Sequence, residues 1–173
     1  NIVMKAAAGV GRNHEDFYPL FVANHILGGS GLSSRLSQAI REKEGLTYGV
    51  YSYLVLDDKA PVIMASFSST ADKYARAEEL FAEQWQNFGK NGVSAEELAQ
   101  AKDYLVASYN LRFASIASIA DILTAMQKYN LGLDFLQKRN DYVQQVTQEQ
   151  VNNAARKYFN KDKLVSVSIG SFK

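Results

Sequence analysis

Two histidines, His14 and His25, are the only imidazoles in the chain, and there is no cysteine. Without a thiol there are no disulfides, no thiolate nucleophile and no thiolate metal site. His14 and His25 fall on one expected helix, where their spacing amounts to about 16 Å of rise. That is too far to share a metal, so both are read as surface or packing residues. None of the serines sits in a Gly-x-Ser-x-Gly elbow, and no histidine–carboxylate pair has evident reach to one. Gly28-Gly29-Ser30-Gly31 precedes an expected helix, whose free N–H groups could cradle an anion. The run lacks the Gly-Lys-Ser/Thr ending of a P-loop and opens no long βαβ unit. A tight turn where two elements pack closely is the preferred reading, and an anion-binding module over Gly28 to Ser34 is a third alternative. Arg41 and Tyr48 remain. A guanidinium offers five fixed donors to a peptide carbonyl or a carboxylate, and a phenol can donate to a developing oxyanion. On spacing alone both have ordinary explanations, since Arg suits a helix C-terminus and Tyr is common in strands.

The elements around these two residues set their geometry. The small residues Gly28 to Gly31 permit a tight turn. Ser33 or Ser34 can cap a helix that carries Leu36, Ala39 and Ile40 on its apolar side. Gly45 stands where a left-handed cap would stop that helix near Glu44. Leu46 to Leu56 then reads as a strand, which brings Arg41 and Tyr48 together across a short bend. By two-residue alternation Tyr51 and Tyr53 lie on the opposite strand face from Tyr48, as packing or surface residues. Arg35 is read as fixing the turn.

Elsewhere, Ile2 to Val10 reads as a strand, and Asn13 with Asp16 as the start of a helix carrying Phe17, Leu20, Phe21, Asn24 and Leu27. Pro61 to Ser69 should pair antiparallel with Leu46 to Leu56 through a turn at Asp57-Asp58-Lys59. Tyr74, Ala77, Phe81, Trp85 and Phe88 form a helical stripe closed by Gly89 and Gly92. Ser94 to Glu97 and Thr147 to Gln150 are capping boxes for two later helices. Between them lie a helix marked by Ile116, Ile119, Leu123 and Met126, stopped by Gly132, and a helical segment from Phe135 to Val146. Leu164 to Gly170 is the closing strand. Strands at both ends and helices between them predict an α+β domain: an antiparallel or mixed sheet, helices mainly on one face, and both terminal strands in that sheet.

The 173 residues, 47% hydrophobic and 21% charged, suit one globular domain. A net charge of +1 gives no electrostatic reason to expect nucleic acid or an anionic membrane as partner. There is no apolar run long enough to span a bilayer. The chain opens on Asn1 in a strand-like segment, so it is expected to be a piece of a longer protein. Compartment stays open between bacterial periplasm and cytoplasm, because both tolerate proteins without cysteine.

Leu-Gly-Gly-x-Gly-x-Ser-Ser-Arg-Leu from Leu27, followed by Ile-Arg-Glu-Lys-x-Gly-Leu-x-Tyr from Ile40, resembles the C-terminal domain of pitrilysin/insulinase-type zinc metallopeptidases. The nearest branch is that of bacterial relatives of the mitochondrial processing peptidase. The likeness extends to Asn13–Leu27 and to Val146–Gly170, essentially the whole chain. It implies that residues 1–173 are one domain, the C-terminal one of a longer two-domain protein, without the family's His-x-x-Glu-His zinc motif, which this sequence lacks, so no cofactor is expected here and zinc is expected in a partner domain. It implies that Arg41 and Tyr48 reach across a cavity to a peptide substrate at that zinc site. It also implies partners: an N-terminal zinc-bearing domain of the same polypeptide or a partner subunit, with a dimer in the full protein. The alternative is an assembly scaffold of the same fold, like the core subunits of a respiratory complex.

Overall fold

The computed structural model describes residues 1–171. Four strands, β1 (Ile2–Ala8), β2 (Val50–Val55), β3 (Val62–Ser68) and β4 (Val165–Ile169), form an antiparallel sheet in the order β2-β3-β1-β4. Alternation decides which side faces inward. Val3, Lys5 and Ala7 of β1, Ile63, Ala65 and Phe67 of β3, and Val50 and Ser52 of β2 are buried, whereas Ile2, Met4, Tyr51, Tyr53, Val165, Val167 and Ile169 are exposed. Helices cover the first face and leave the second, largely apolar face open. The terminal strands do share the sheet, but β4 reaches it through β1 itself rather than through an internal strand.

The helices are α1 (Phe17–Asn24), α2 (Ala71–Asn91), α3 (Ala95–Ala107), α4 (Ile116–Lys128), α5 (Phe135–Gln144) and α6 (Gln148–Tyr158). The stripe on α2 makes the centre of the core. Phe81, Trp85 and Phe88 are fully buried. Phe81 stacks on Phe67 of the sheet at 5.8 Å, and Trp85 and Phe88 lie 4.9 and 5.1 Å from Phe159, just after α6. Both capping boxes form, with Glu97 N–H donating to Ser94 Oγ and Gln150 N–H to Thr147 Oγ1. The hairpin of β2 and β3 forms in the expected antiparallel sense.

Several boundaries differ from the sequence reading, each for a local reason. Asn13 does not cap a helix. Its Nδ2 donates to Tyr129 O, and α1 begins only at Phe17. His14 therefore precedes the helix, and the two histidines do not share one. Gly89 does not end α2, which continues to Asn91 and stops at Gly92, whose φ of 66° suits a residue without Cβ. Gly89 instead lets α6 approach, since a Cβ there would lie 2.3 Å from Phe159 O. In α4 the inward residue is Ile122, whereas Ile116, Ile119 and Leu123 are exposed. β2 starts at Val50 rather than Leu46, which leaves Tyr48 outside the strand.

Candidate substrate-contact site

Gly28 and Gly29 still belong to the first helix, in a π-type turn over His25–Gly29 that prolongs α1. Gly28 is pressed against β2, where a Cβ would sit 2.4 Å from Ser52 Oγ and 2.7 Å from Ser52 N. Close packing, rather than a free turn, accounts for this glycine. The chain reverses after it through Gly31, at φ 64°. Ser34 is extended and caps the next helix, its Oγ accepting from Ser37 N–H at 3.3 Å and donating to Gly31 O at 2.8 Å. That start is capped from within, which leaves little for an anion.

The helix runs on through a π-type segment, Ser37–Glu42, with Leu36 and Ile40 fully buried beneath it. Gly45, at φ 62°, closes it as expected, its N–H donating to Arg41 O at 3.0 Å. Arg35 fastens the segment to the neighbouring layer. Its Nε and Nη2 donate to the two carboxylate oxygens of Glu97 at 2.7 and 2.6 Å, and Nη2 also reaches Gly92 O at 3.0 Å. This fork holds the Glu97 carboxyl below its ordinary range, with the hydrogen bonds from Arg35 as the main cause. Arg35 thus fixes the turn, as its sequence context suggested.

Three contacts pin the loop after Glu44. Lys73 Nζ donates to Gly45 O at 2.9 Å, Arg76 pairs with Glu44 at 3.2 Å, and Thr47 Oγ1 donates to Ser68 O at 2.5 Å. Thr47 is buried, and its hydroxyl also accepts from Gly49 N–H at 3.1 Å. Nothing in the sequence singles out Thr47 except its place beside Tyr48. Tyr48 stands clear of this anchored loop, 91% exposed and with no hydrogen-bond partner among the described residues. Arg41 is partly exposed, and among the described residues its guanidinium has one ionic neighbour, Glu42 at 3.4 Å. The short bend joins the two residues along the chain, but no hydrogen bond or ring contact links them among the described residues. Tyr51 is exposed and folds back over Gly49, whose Cβ position lies 2.6 Å from the Tyr51 hydroxyl; Tyr53 is exposed as well.

The histidines serve the fold. His14 Nδ1 accepts from Asp16 N–H at 3.0 Å, outside the helix. His25 is buried against Tyr104, the rings 5.2 Å apart, and desolvation lowers its pKa to about 4. Among the described residues no group of three or more His, Cys, Asp or Glu could hold a metal ion, so the donor set does not fit zinc. No helix among them is long and apolar enough to cross a membrane.

An α+β domain with an open sheet face and this glycine–arginine turn defines a known class. The model of the peptidase M16 inactive domain matches residues 1–105, and the chain belongs to that family. A solved peptidase M16 inactive domain from Pseudomonas fluorescens is 36% identical, with a TM-score of 0.86 over 95% of this chain and 39% of that one. An uncharacterized zinc protease of Bacillus subtilis is 30% identical over 157 residues, 89% of this chain and 37% of the relative. A Helicobacter pylori relative, named a non-peptidase homolog, is 27% identical over 74% of this chain and 29% of its own length. The chain thus spans about a third of the length of such relatives.

Proposed function

We propose that this chain is the non-catalytic domain of a zinc metalloendopeptidase, placing Arg41 and Tyr48 against a peptide substrate held at a zinc site on another domain or subunit. The supporting observation is Tyr48, a 91% exposed phenol without a partner among the described residues, on a loop fastened at Gly45, Glu44 and Thr47. Such a side chain contributes little to the fold, and its hydroxyl is available to a group arriving from outside. The fastened loop limits the entropy lost when that group docks. The zinc protease names carried by relatives favour the same reading.

None of the zinc ligands comes from this chain, whose part is to bind and polarise. Arg41, weakly engaged by Glu42, holds a peptide carbonyl or carboxylate through its guanidinium fork. Tyr48 donates to the oxyanion that develops at the scissile carbonyl. The partner is an N-terminal zinc-bearing domain of the same polypeptide or a separate subunit, in an enzyme that works as a dimer.

The test uses the full-length or reconstituted enzyme. Tyr48→Phe should lower kcat by about 10²–10³-fold, as loss of an oxyanion donor does elsewhere, with unchanged melting temperature and zinc content. Arg41→Lys should raise KM more than it lowers kcat if the fork mainly holds substrate. Wild-type turnover by both folded variants would remove the pair from the mechanism. A scaffold role without peptidase activity is the second reading. It is favoured by the Helicobacter pylori relative's name and by a fold-level likeness to complex III of Candida albicans. That reading requires no specific loss from Tyr48→Phe.

A further inference from the structure

A cavity of about 410 Å³ lies between α1, β2, α4 and α5, and neither Arg41 nor Tyr48 lines it. Its size falls within the range of small-molecule pockets, about 300–1,000 Å³. Phe21, Leu54, Ile122, Leu131 and Phe135 make its walls largely apolar.

Three of the polar atoms on its lining residues are unanswered. Asn24, Ser52 and Tyr109 are all on the lining, and all are more than nine-tenths buried, at 6%, 2% and 6% exposure. Among the described residues Asn24 Oδ1, Ser52 Oγ and Tyr109 OH have no hydrogen-bond partner. Buried polar groups are nearly always satisfied, and two of these three, the Ser52 and Tyr109 hydroxyls, are donors that an acceptor in the cavity would answer, whereas Asn24 Oδ1 accepts and is left to a water. Beside them lies Arg139, a lining guanidinium that is 8% exposed. Its Nη1 donates to Leu105 O at 2.7 Å and Asn140 Oδ1 at 2.9 Å. Nε and Nη2 take no protein acceptor, and no carboxylate pairs with it among the described residues. The Tyr109 ring is 4.4 Å from this guanidinium, which sets the free hydroxyl and the free N–H groups in one neighbourhood. Arg12 and Arg112 line the same cavity, against one acid, the exposed Asp121. A buried cation without a counter-charge is costly, and an anion inside the cavity would neutralise it.

We propose that this cavity binds a small amphipathic carboxylate. The carboxylate accepts from the free N–H groups of Arg139 and from Tyr109 OH, and the apolar body lies among Phe21, Leu54, Ile122 and Phe135. The apolar walls exclude an inorganic anion as the preferred occupant, and the excess of arginine excludes a neutral or cationic one.

Titration calorimetry on the whole chain tests this, with 4-phenylbutyrate against 4-phenylbutanol and octanoate against octanol as probe pairs. Each carboxylate should bind saturably at one site per chain, at least about tenfold more tightly than the alcohol of the same shape, as a charge-assisted contact requires. Tyr109→Phe removes an oxygen that bonds to nothing in the fold, so this variant should melt like the parent and bind the carboxylates about tenfold more weakly. Arg139→Gln should abolish the preference for acid over alcohol; if that variant does not fold, Tyr109→Phe alone decides. No saturable carboxylate binding at millimolar concentration, equal affinity for acid and alcohol, or undiminished binding by Tyr109→Phe would overturn the proposal and leave the orphan atoms to water.

Discussion

Gly28→Ala sets two physical effects against each other, and their sizes predict which wins. Gly28 lies in a helical turn, where alanine is the better helix former by about 1 kcal/mol. Opposing this, the added Cβ would stand 2.4 Å from Ser52 Oγ, 2.7 Å from Ser52 N and 2.9 Å from Ser52 Cβ. The hydroxyl could swing aside, but the backbone nitrogen belongs to β2 and cannot. Either the helix lifts off the sheet or β2 shifts, and the second also strains the hydrogen bond from Asn24 Nδ2 to Ser52 O. Forced overpacking of this kind costs about 1–3 kcal/mol, and a backbone obstacle puts it at the upper end. The net effect should be a destabilisation of about 2 kcal/mol, or about 4–8 °C in Tm for a chain of this size. Urea denaturation should show a lower midpoint at unchanged slope. Adding Ser52→Ala relieves only the closest of the three contacts, so the double variant should recover part of the loss. Gly11→Ala, with open space around its Cβ, should show no such penalty. A Gly28→Ala protein that melts higher than the parent would refute the close-packing explanation.

Three further outcomes follow from the core and its charges. Trp85→Ala should cost about 3–5 kcal/mol, because the fully buried indole leaves a cavity among Phe81, Phe88 and Phe159, and chemical denaturation measures it. Trp85→Phe should cost much less, since it also removes the unpartnered Nε1–H. His25 is held near pKa 4 when folded against 6.5 when free, so the unfolded chain takes up its proton first as pH falls. Stability should therefore be full above about pH 6.5 and fall by up to about 1 kcal/mol per pH unit down to about pH 4. His25→Gln should flatten that stretch of the Tm–pH curve. Arg35→Lys keeps the charge but not the two-pronged grip on Glu97, and should cost about 1 kcal/mol by thermal unfolding, partly masked by high salt.

What could be read from the sequence was what is written locally. The capping boxes at Ser94 and Thr147, the Gly45 cap and the α2 stripe depend on residues within one or two turns of each other, and all four formed. The fold departs from the local pattern where distant residues intervene. Asn13 looks like a cap until Tyr129 O, from a far part of the chain, claims its amide. Gly89 looks like a stop, but its missing Cβ makes room for Phe159 O. Tyr48 looks like a strand residue because it continues the Tyr- and Val-rich run, but Thr47 ties the loop to Ser68 O before β2 begins. The motif from Gly28 to Tyr48 is visible as a pattern, and so is the turn-fixing part of Arg35, but its partners Glu97 and Gly92 lie some sixty residues away and only the fold names them. The arginine-lined cavity had no sequence signal, since its unanswered atoms come from Asn24, Ser52 and Tyr109 on three separate elements.

The place of β1 between β3 and β4 has a consequence during synthesis. One edge of β1 can zip onto Val62–Ser68 early, but its other edge waits for Val165–Ile169, made more than 150 residues after β1 itself. At translation rates of about 5–20 residues per second, that edge stays unpaired for roughly 8–30 s. Ile2 and Met4, with Val3 between them, make it an apolar template to which a strand from a neighbouring nascent chain could add. Crowded expression should therefore favour misassembled chains over native ones, and slowing initiation or lowering the temperature should restore the soluble yield without any change of sequence.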